Sequence, residues 1–226
     1  LHGRTSNRLR PLKLLKLYKM TGLYKEYALF LPDLRNSGRS DTANTLMGNE
    51  FAEDIHSAIV YVQKNFKKSE FILHAYSMAA MGVQMLFNRE DTEFNKTKAL
   101  VKKVIFDSPL VNVKRTINVE AKKGGIPGFI SSYAYWMYNK MNSNILEKFK
   151  LHKTYVALKT VPVLILQSET DETTYAQFLK DELALIPDSI KCFNVHYFKD
   201  ARHAWLFVYY EKEYTRLVND FIKSKP

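Results

Sequence analysis

The side chain best placed for chemistry is Ser77, which stands between two apolar runs, 71–76 and 78–87, in the string Phe71-Ile-Leu-His-Ala-Tyr-Ser-Met-Ala-Ala80. A serine at the junction of a buried strand and a buried helix sits on a sharp turn, its hydroxyl above the sheet and a helix amino terminus beneath it. Strand and helix approach closely there, so the residues two before and two after must be small. They are Ala75 and Ala79, standing where the pattern G-x-S-x-G has glycine. A serine before a helix is by itself more often only an N-cap, so the weight falls on its partners. A hydroxyl becomes nucleophilic when a base takes its proton and a carboxylate fixes the tautomer of that base. His203 follows the last expected strand and Asp171 follows the strand before it. The order is Ser77, Asp171, His203, with separations of 94 and 32 residues. All three fall at expected strand carboxyl ends, where an open α/β sheet builds its site.

Acyl transfer through a tetrahedral intermediate also needs N–H donors for the oxyanion. The backbone N–H of Met78, the residue after the serine, is one expected donor. The second should come from an earlier strand-to-helix loop, and 1–5, Leu-His-Gly-Arg-Thr, has that form, with the Arg4 N–H as the expected donor. Other residues compete for each role. Asp107 is the strongest rival acid because it also ends an expected strand, and Glu169 is a lesser one. His74 reads as a core histidine inside a strand, His196 is mid-strand, and His56 and His152 read as helix or surface positions. Ser37 and Ser40 lack a strand-to-helix junction and read as turn hydrogen-bonders, while Asp33 and Arg35 are expected to pair and hold their loop. Gly124, Gly125 and Gly128 do not make G-x-G-x-x-G, follow no strand, and read as a hinge.

Positioning these residues requires a parallel sheet with crossover helices. Short apolar segments alternate with longer segments of helical period. Strands are expected at 27–32, 71–76, 104–107, 161–166 and 192–198, and helices at 11–20, 48–67, 78–88 and 205–223. About 50 residues separate the strand ending at Asp107 from the one near Val161, far more than a crossover uses. That stretch carries helical runs at 111–123 and 129–141, and is expected to be an inserted lid over the strand carboxyl ends. Phe129, Tyr133, Trp136 and Met137 share one helical face and are expected either to pack as core or to line an apolar substrate pocket.

Together these features resemble the α/β-hydrolase superfamily, in its serine esterase/lipase and serine aminopeptidase-like branch. The resemblance rests on His2-Gly3, on 33–40 as a D-x-R-x-x-G-x-S loop, on the turn around Ser77, and on the loops of Asp171 and His203, so it spans nearly the whole chain. It implies a mostly parallel sheet with helices on both faces. The core would be 1–109 plus 161–226, with a helical cap over 110–160. It implies Ser77 as nucleophile, His203 as base and Asp171 as acid, with no cofactor and no metal.

Composition fits that class and excludes others. The 226 residues are 46% hydrophobic with 14 Phe, 14 Tyr and 2 Trp, enough to pack a core and incompatible with intrinsic disorder. One cysteine, Cys192, excludes an internal disulfide and any cysteine-based zinc site. The formal charge of +11 raises the question of an acidic partner. Its lysines are scattered among acids without a nucleic-acid motif, so no nucleic acid is expected. The apolar stretch 71–87 contains His74, Ser77 and Gln84 and reads as buried strand and helix rather than a membrane span. A soluble domain is expected, cytoplasmic by default, with an upstream segment left open because the chain begins with Leu. The expected activity is a carboxylic ester hydrolase working through an acyl-enzyme on a small ester with an apolar group. Amidase, peptidase or thioesterase chemistry on the same triad, and a catalytically inactive ligand-binding protein of the same fold, stand as alternatives.

Overall fold

The computed structural model describes residues 1–45, 49–142, 144–187 and 193–224. Its centre is a four-stranded, all-parallel sheet in the order β1 (Phe71–Tyr76), β2 (Val101–Asp107), β3 (Val163–Ser168) and β4 (Phe193–Phe198). Successive strand residues point to opposite faces, and both faces are apolar here. Val104, Phe106, Val163 and Ile165 enter one core, and Ile105, Leu164 and Leu166 the other. Both faces are covered, as a parallel sheet requires. The first is covered by α2 (Phe51–Phe66), α3 (Met78–Asn88), α7 (Leu151–Leu158) and α8 (Ala176–Ala184). The second is covered by α1 (Leu14–Thr21), the short α9 (Leu206–Tyr209) and α10 (Glu211–Lys223).

Local sequence explains these helices. Phe51, Ile55, Ile59 and Val62 form the buried stripe of α2, Glu53 and Asp54 lie in its first turn where the helix dipole favours acids, and Lys67 closes it in a left-handed conformation at φ 55°. Helix α3 is buried on every side from Met78 to Phe87, because the sheet, α2 and α7 enclose it. That enclosure accounts for the apolar stretch 71–87 without a membrane, and no helix among the described residues is long and apolar enough to cross one. Gly82 makes the α2–α3 approach possible: a Cβ there would lie 2.6 Å from the Cβ of Phe51.

Four strands and the helix at 78–88 fall where the sequence places them, with β2 three residues longer at its start. The strand expected at 27–32 does not form, and residues 27–34 carry no regular structure. A strand exists only with a partner. At the outer edge of β1 it is Leu1 that makes the pairing bonds, its amino group donating to His74 O (2.7 Å) and its carbonyl accepting from Tyr76 N (3.1 Å). The helix expected at 11–20 starts as a 3-10 turn, Arg10–Lys13, around Pro11 before α1 begins. The terminal helix is broken at Tyr210 into α9 and α10. The sequence reading did not identify α4 (Thr92–Leu100), whose mixed polar composition gives weak periodicity; the Asp91 carboxylate caps it by accepting from Phe94 N at 3.1 Å. Cys192, part of the last expected strand, and Gly48 lie outside the described residues.

Between β2 and β3 run α5 (Val113–Lys123), α6 (Gly128–Met141) and α7. Helix α7 packs into the core beside α3, with Thr154 Oγ1 donating to Gln84 Oε1 at 2.7 Å. Helix α6 differs: it buries only Ser131, Tyr135 and Asn139, and leaves Phe129, Tyr133, Trp136 and Tyr138 exposed.

Replacing Gly82 by Ala forces a methyl group into the α2–α3 contact. It is expected to lower unfolding stability by about 1–3 kcal/mol, read as a reduced midpoint in urea with an unchanged slope.

Candidate active site

Ser77 has φ 54° and ψ −118°, a conformation that side-chain-bearing residues rarely adopt. It is the sharp turn the sequence implies, and it forms with alanine on both flanks: Ala75 and Ala79 are fully buried. The turn is pinned from β2, with Ser77 N donating to Asp107 O (2.9 Å) and Leu110 N donating to Ser77 O (3.1 Å). Gly3 lies against it, since a Cβ on Gly3 would be 2.9 Å from Ser77 Cβ and 3.6 Å from Ser77 Oγ. Only glycine permits that approach.

Three side chains expected to work together are brought into contact. Ser77 Oγ and His203 Nε2 lie 2.9 Å apart, and His203 Nδ1 lies 2.8 Å from Asp171 Oδ2. The Asp171 side chain is fully buried and His203 is 24% exposed. Burial alone would raise the Asp171 carboxyl, but its bond to His203 and the N–H groups of Thr174 and Thr173 outweigh this and hold it below its ordinary value. Asp171 is therefore an anion that only accepts, so Nδ1 of His203 carries the hydrogen and the Nε2 lone pair faces the serine hydroxyl.

The loop of Asp171 orients itself: Asp171 Oδ1 accepts from Thr173 N (2.8 Å) and Thr174 N (2.9 Å). Thr174 Oγ1 lies 3.0 Å from Asp171 Oδ2, 3.3 Å from His203 Nδ1 and 3.1 Å from Ser108 O. The sequence reading missed Thr174. An Asp followed three residues later by Thr is a signal that could have found it, because short acidic side chains commonly accept from the N–H groups two and three residues on.

His2 is buried and neutral: burial lowers its pKa, Leu34 N donates to Nε2 (2.9 Å), and Nδ1 donates to Gly3 O (2.8 Å). In a trans peptide the C=O and N–H point opposite ways, so this bond turns the Arg4 N–H away from His2. The Met78 N–H, as the first residue of α3, has no intrahelical acceptor.

The rivals are engaged elsewhere. Asp107 bonds Ser108 Oγ (3.0 Å) and Tyr214 OH (2.8 Å). Glu169 is exposed and pairs with Lys180 at 3.1 Å. His196 pairs with Glu213, His56 with Thr97, and His152 with the buried Glu182. The expected Asp33–Arg35 pair does not form. The loop folds tightly around the Asp33 carboxylate, which accepts from Arg8 N, Arg39 N and the Arg8 guanidinium, while Arg35 turns to Asp54 and Glu53 at the start of α2. The buried Leu34 between them separates the two directions. Ser40 makes the turn bond expected of it, to Asp33 O at 2.8 Å, and Ser37 a longer one to Arg35 O. Gly124 ends α5 and Gly125 continues the turn at φ 75°.

Phe129, Tyr133, Trp136 and Met137 are 76%, 61%, 54% and 44% exposed along one face of α6 and do not pack as core. Helical spacing places them on one face but does not say whether that face is inside. An apolar groove of about 200 Å³ runs along the outer edge of β1 between Phe71–His74 and 27–32; Ser77, Asp171 and His203 do not line it. Among the described residues no group of three or more His, Cys, Asp or Glu could hold a metal ion.

No protein-family model matches the sequence, and no curated protein matches it significantly. Solved structures do match. An esterase of Pyrococcus furiosus aligns with a TM-score of 0.72 at 18% identity, over 99% of this chain and 79% of the esterase. A monoacylglycerol lipase of Paleococcus ferrophilus aligns at 0.61 and 14% identity, over 98% and 91%. An esterase of Exiguobacterium antarcticum aligns at 0.57 and 16% identity, over 99% and 90%.

His74 is stacked between the Tyr76 and Tyr214 rings, and burial, together with nearby positive charge including Lys13, lowers its pKa to about 3. The unfolded chain takes up a proton near 6.5 and the fold does not until about 3, so stability is lost as pH falls through that window. His74→Gln should flatten that loss by up to about 1.4 kcal/mol per pH unit, measured by urea unfolding at stepped pH.

A parallel sheet covered on both faces, aligned with all three neighbours over nearly the whole chain, gives the chain the α/β-hydrolase fold.

Proposed function

We propose that the protein is a serine hydrolase that cleaves a carboxylic ester through an acyl-enzyme intermediate. The observation that carries this reading is the continuous hydrogen-bonded line from Ser77 Oγ through the imidazole of His203 to Asp171. In the first step Nε2 of His203 takes the hydroxyl proton as Ser77 Oγ attacks the ester carbonyl carbon, and Asp171 stabilises the imidazolium that forms. His203 then returns the proton to the departing alcohol as the C–O bond breaks. Water, deprotonated by the same nitrogen, attacks the acyl carbon, and Ser77 leaves with its proton restored.

The oxyanion of each tetrahedral intermediate is assigned to the N–H groups of Met78 and Arg4. The close approach of Gly3, the residue before Arg4, to Ser77 supports the second assignment, as does the bond from His2 to Gly3 O, which turns the Arg4 N–H away from His2. Within 110–160, helices α5 and α6 are proposed as the cap, while α7 packs on the sheet beside α3 as part of the core. Helix α5 ends at the site, where Lys123 Nζ donates to Glu172 O at 2.7 Å, next to Asp171. Likeness to two esterases and a monoacylglycerol lipase favours an ester over an amide, and the exposed α6 aromatics give no support to a preference for apolar groups.

Ser77→Ala is expected to abolish labelling by a fluorophosphonate probe and nearly all turnover of p-nitrophenyl acetate. Asp171→Asn, which reverses the tautomer preference of His203, should lower kcat by roughly 10³–10⁴ while leaving the melting temperature close to that of the native protein. Undiminished turnover in Ser77→Ala excludes the proposal.

A further inference from the structure

Ala204, the residue after His203, has φ 57°, which puts a buried alanine in the left-handed region. Such a conformation persists only where the surroundings over-determine it. Here both backbone groups of Ala204 are held by side chains from distant parts of the chain. Its N–H donates to Ser108 Oγ at 3.2 Å, and its carbonyl accepts from Lys13 Nζ on the other side.

Ser108 is itself fixed. It is fully buried at the carboxyl end of β2, and its hydroxyl donates to Asp107 Oδ1 at 3.0 Å, which leaves the oxygen lone pairs free to face Ala204. The second Asp107 oxygen accepts from Tyr214 OH at 2.8 Å, and His74 Nε2 lies 2.9 Å behind that hydroxyl. The hydrogen count sets the direction of the chain: Tyr214 gives its proton to Asp107, so His74 carries its hydrogen on Nε2 and donates to Tyr214.

The same two residues touch the other site loops through their main chain. Asp107 O accepts from Ser77 N at 2.9 Å, and Ser108 O accepts from Thr174 Oγ1 at 3.1 Å, whose hydroxyl also lies against Asp171. Asp107–Ser108 therefore meets the serine turn, the acid loop and the histidine loop at one point. Only the contact to the histidine loop runs through the Ser108 side chain, so that contact can be removed alone.

We infer that Ser108, backed by Asp107 and opposed by Lys13, is a positioning residue that clamps Ala204 and so holds the His203 imidazole in line with Ser77. This rests on the catalytic reading of Ser77 and His203 given above. None of the clamping side chains touches the reacting atoms. Their effect comes from geometry, where a displacement of about 1 Å at a catalytic group costs on the order of 10²-fold in rate.

The test compares native protein, Ser108→Ala and Lys13→Met, each active-site-titrated with a fluorophosphonate, and Ser77→Ala at matched protein concentration, with p-nitrophenyl acetate as substrate and melting temperature measured alongside. The clamp predicts that Ser108→Ala and Lys13→Met keep KM within about twofold while kcat per titrated site falls roughly 10- to 100-fold, and that the rate of fluorophosphonate labelling falls in parallel. A purely structural role lowers the melting temperature or the titrated fraction and leaves kcat per site unchanged, which overturns the inference. If Ser108→Ala does not fold, Lys13→Met decides by the same criterion, because it releases the same residue through its carbonyl. Failure of the underlying reading is told apart by Ser77→Ala: turnover surviving there sinks the hydrolase itself, whereas an inactive Ser77→Ala beside fully active clamp variants sinks only the clamp.

Discussion

Three side chains can form one hydrogen-bonded line only if the loops that carry them leave the sheet at the same rim, and parallel pairing provides this. All four strands run the same way, so the loops after Tyr76, Ser168 and Phe198 leave the sheet at one rim. Strand β2 lies between β1 and β3, and its last residue supplies the bonds that tie the serine turn to its neighbours. Residues 126 apart in sequence thus come within 2.9 Å. The conformations at the rim are strained in consequence: Ser77, Ser108 and Ala204 all have positive φ without being glycine. Each is held by hydrogen bonds from an adjacent strand-end loop, so the strain is supported by the same register that creates the site.

Burial sets the electrostatics around that line. Two carboxylates stand at neighbouring strand ends and are pushed in opposite directions. Asp171 receives two N–H groups and an imidazole and is held below its ordinary pKa, whereas burial raises Asp107, which receives two hydroxyls. This divides the work between them: the first faces the imidazole as an anion, and the second backs the loop that carries it.

Much of this was legible in the sequence because it depends on local pattern. The strand–serine–helix junction, four of the strand positions and the order of serine, acid and histidine follow from apolar runs and the residues that end them. What was not legible depends on distant partners. Segment 27–32 has strand composition but makes no ladder with β1, from which an apolar groove separates it. Asp33 and Arg35 are complementary in type, yet each finds a better partner across the loop, Arg8 and Asp54. The aromatic stripe on α6 has helical spacing but is exposed rather than packed in the core, because spacing defines a face and not its neighbour. Thr174, Ser108 and Lys13 reach the site from three separate segments, and no spacing rule joins them.

The most direct test of the central claim is an experimental structure of the chain after reaction with diethyl p-nitrophenyl phosphate. The account predicts a phosphorus bonded to Ser77 Oγ, one phosphoryl oxygen accepting from the N–H groups of both Met78 and Arg4, and His203 still bonded to Asp171. A phosphoryl group on another residue, or one on Ser77 whose oxygen meets neither N–H, contradicts it.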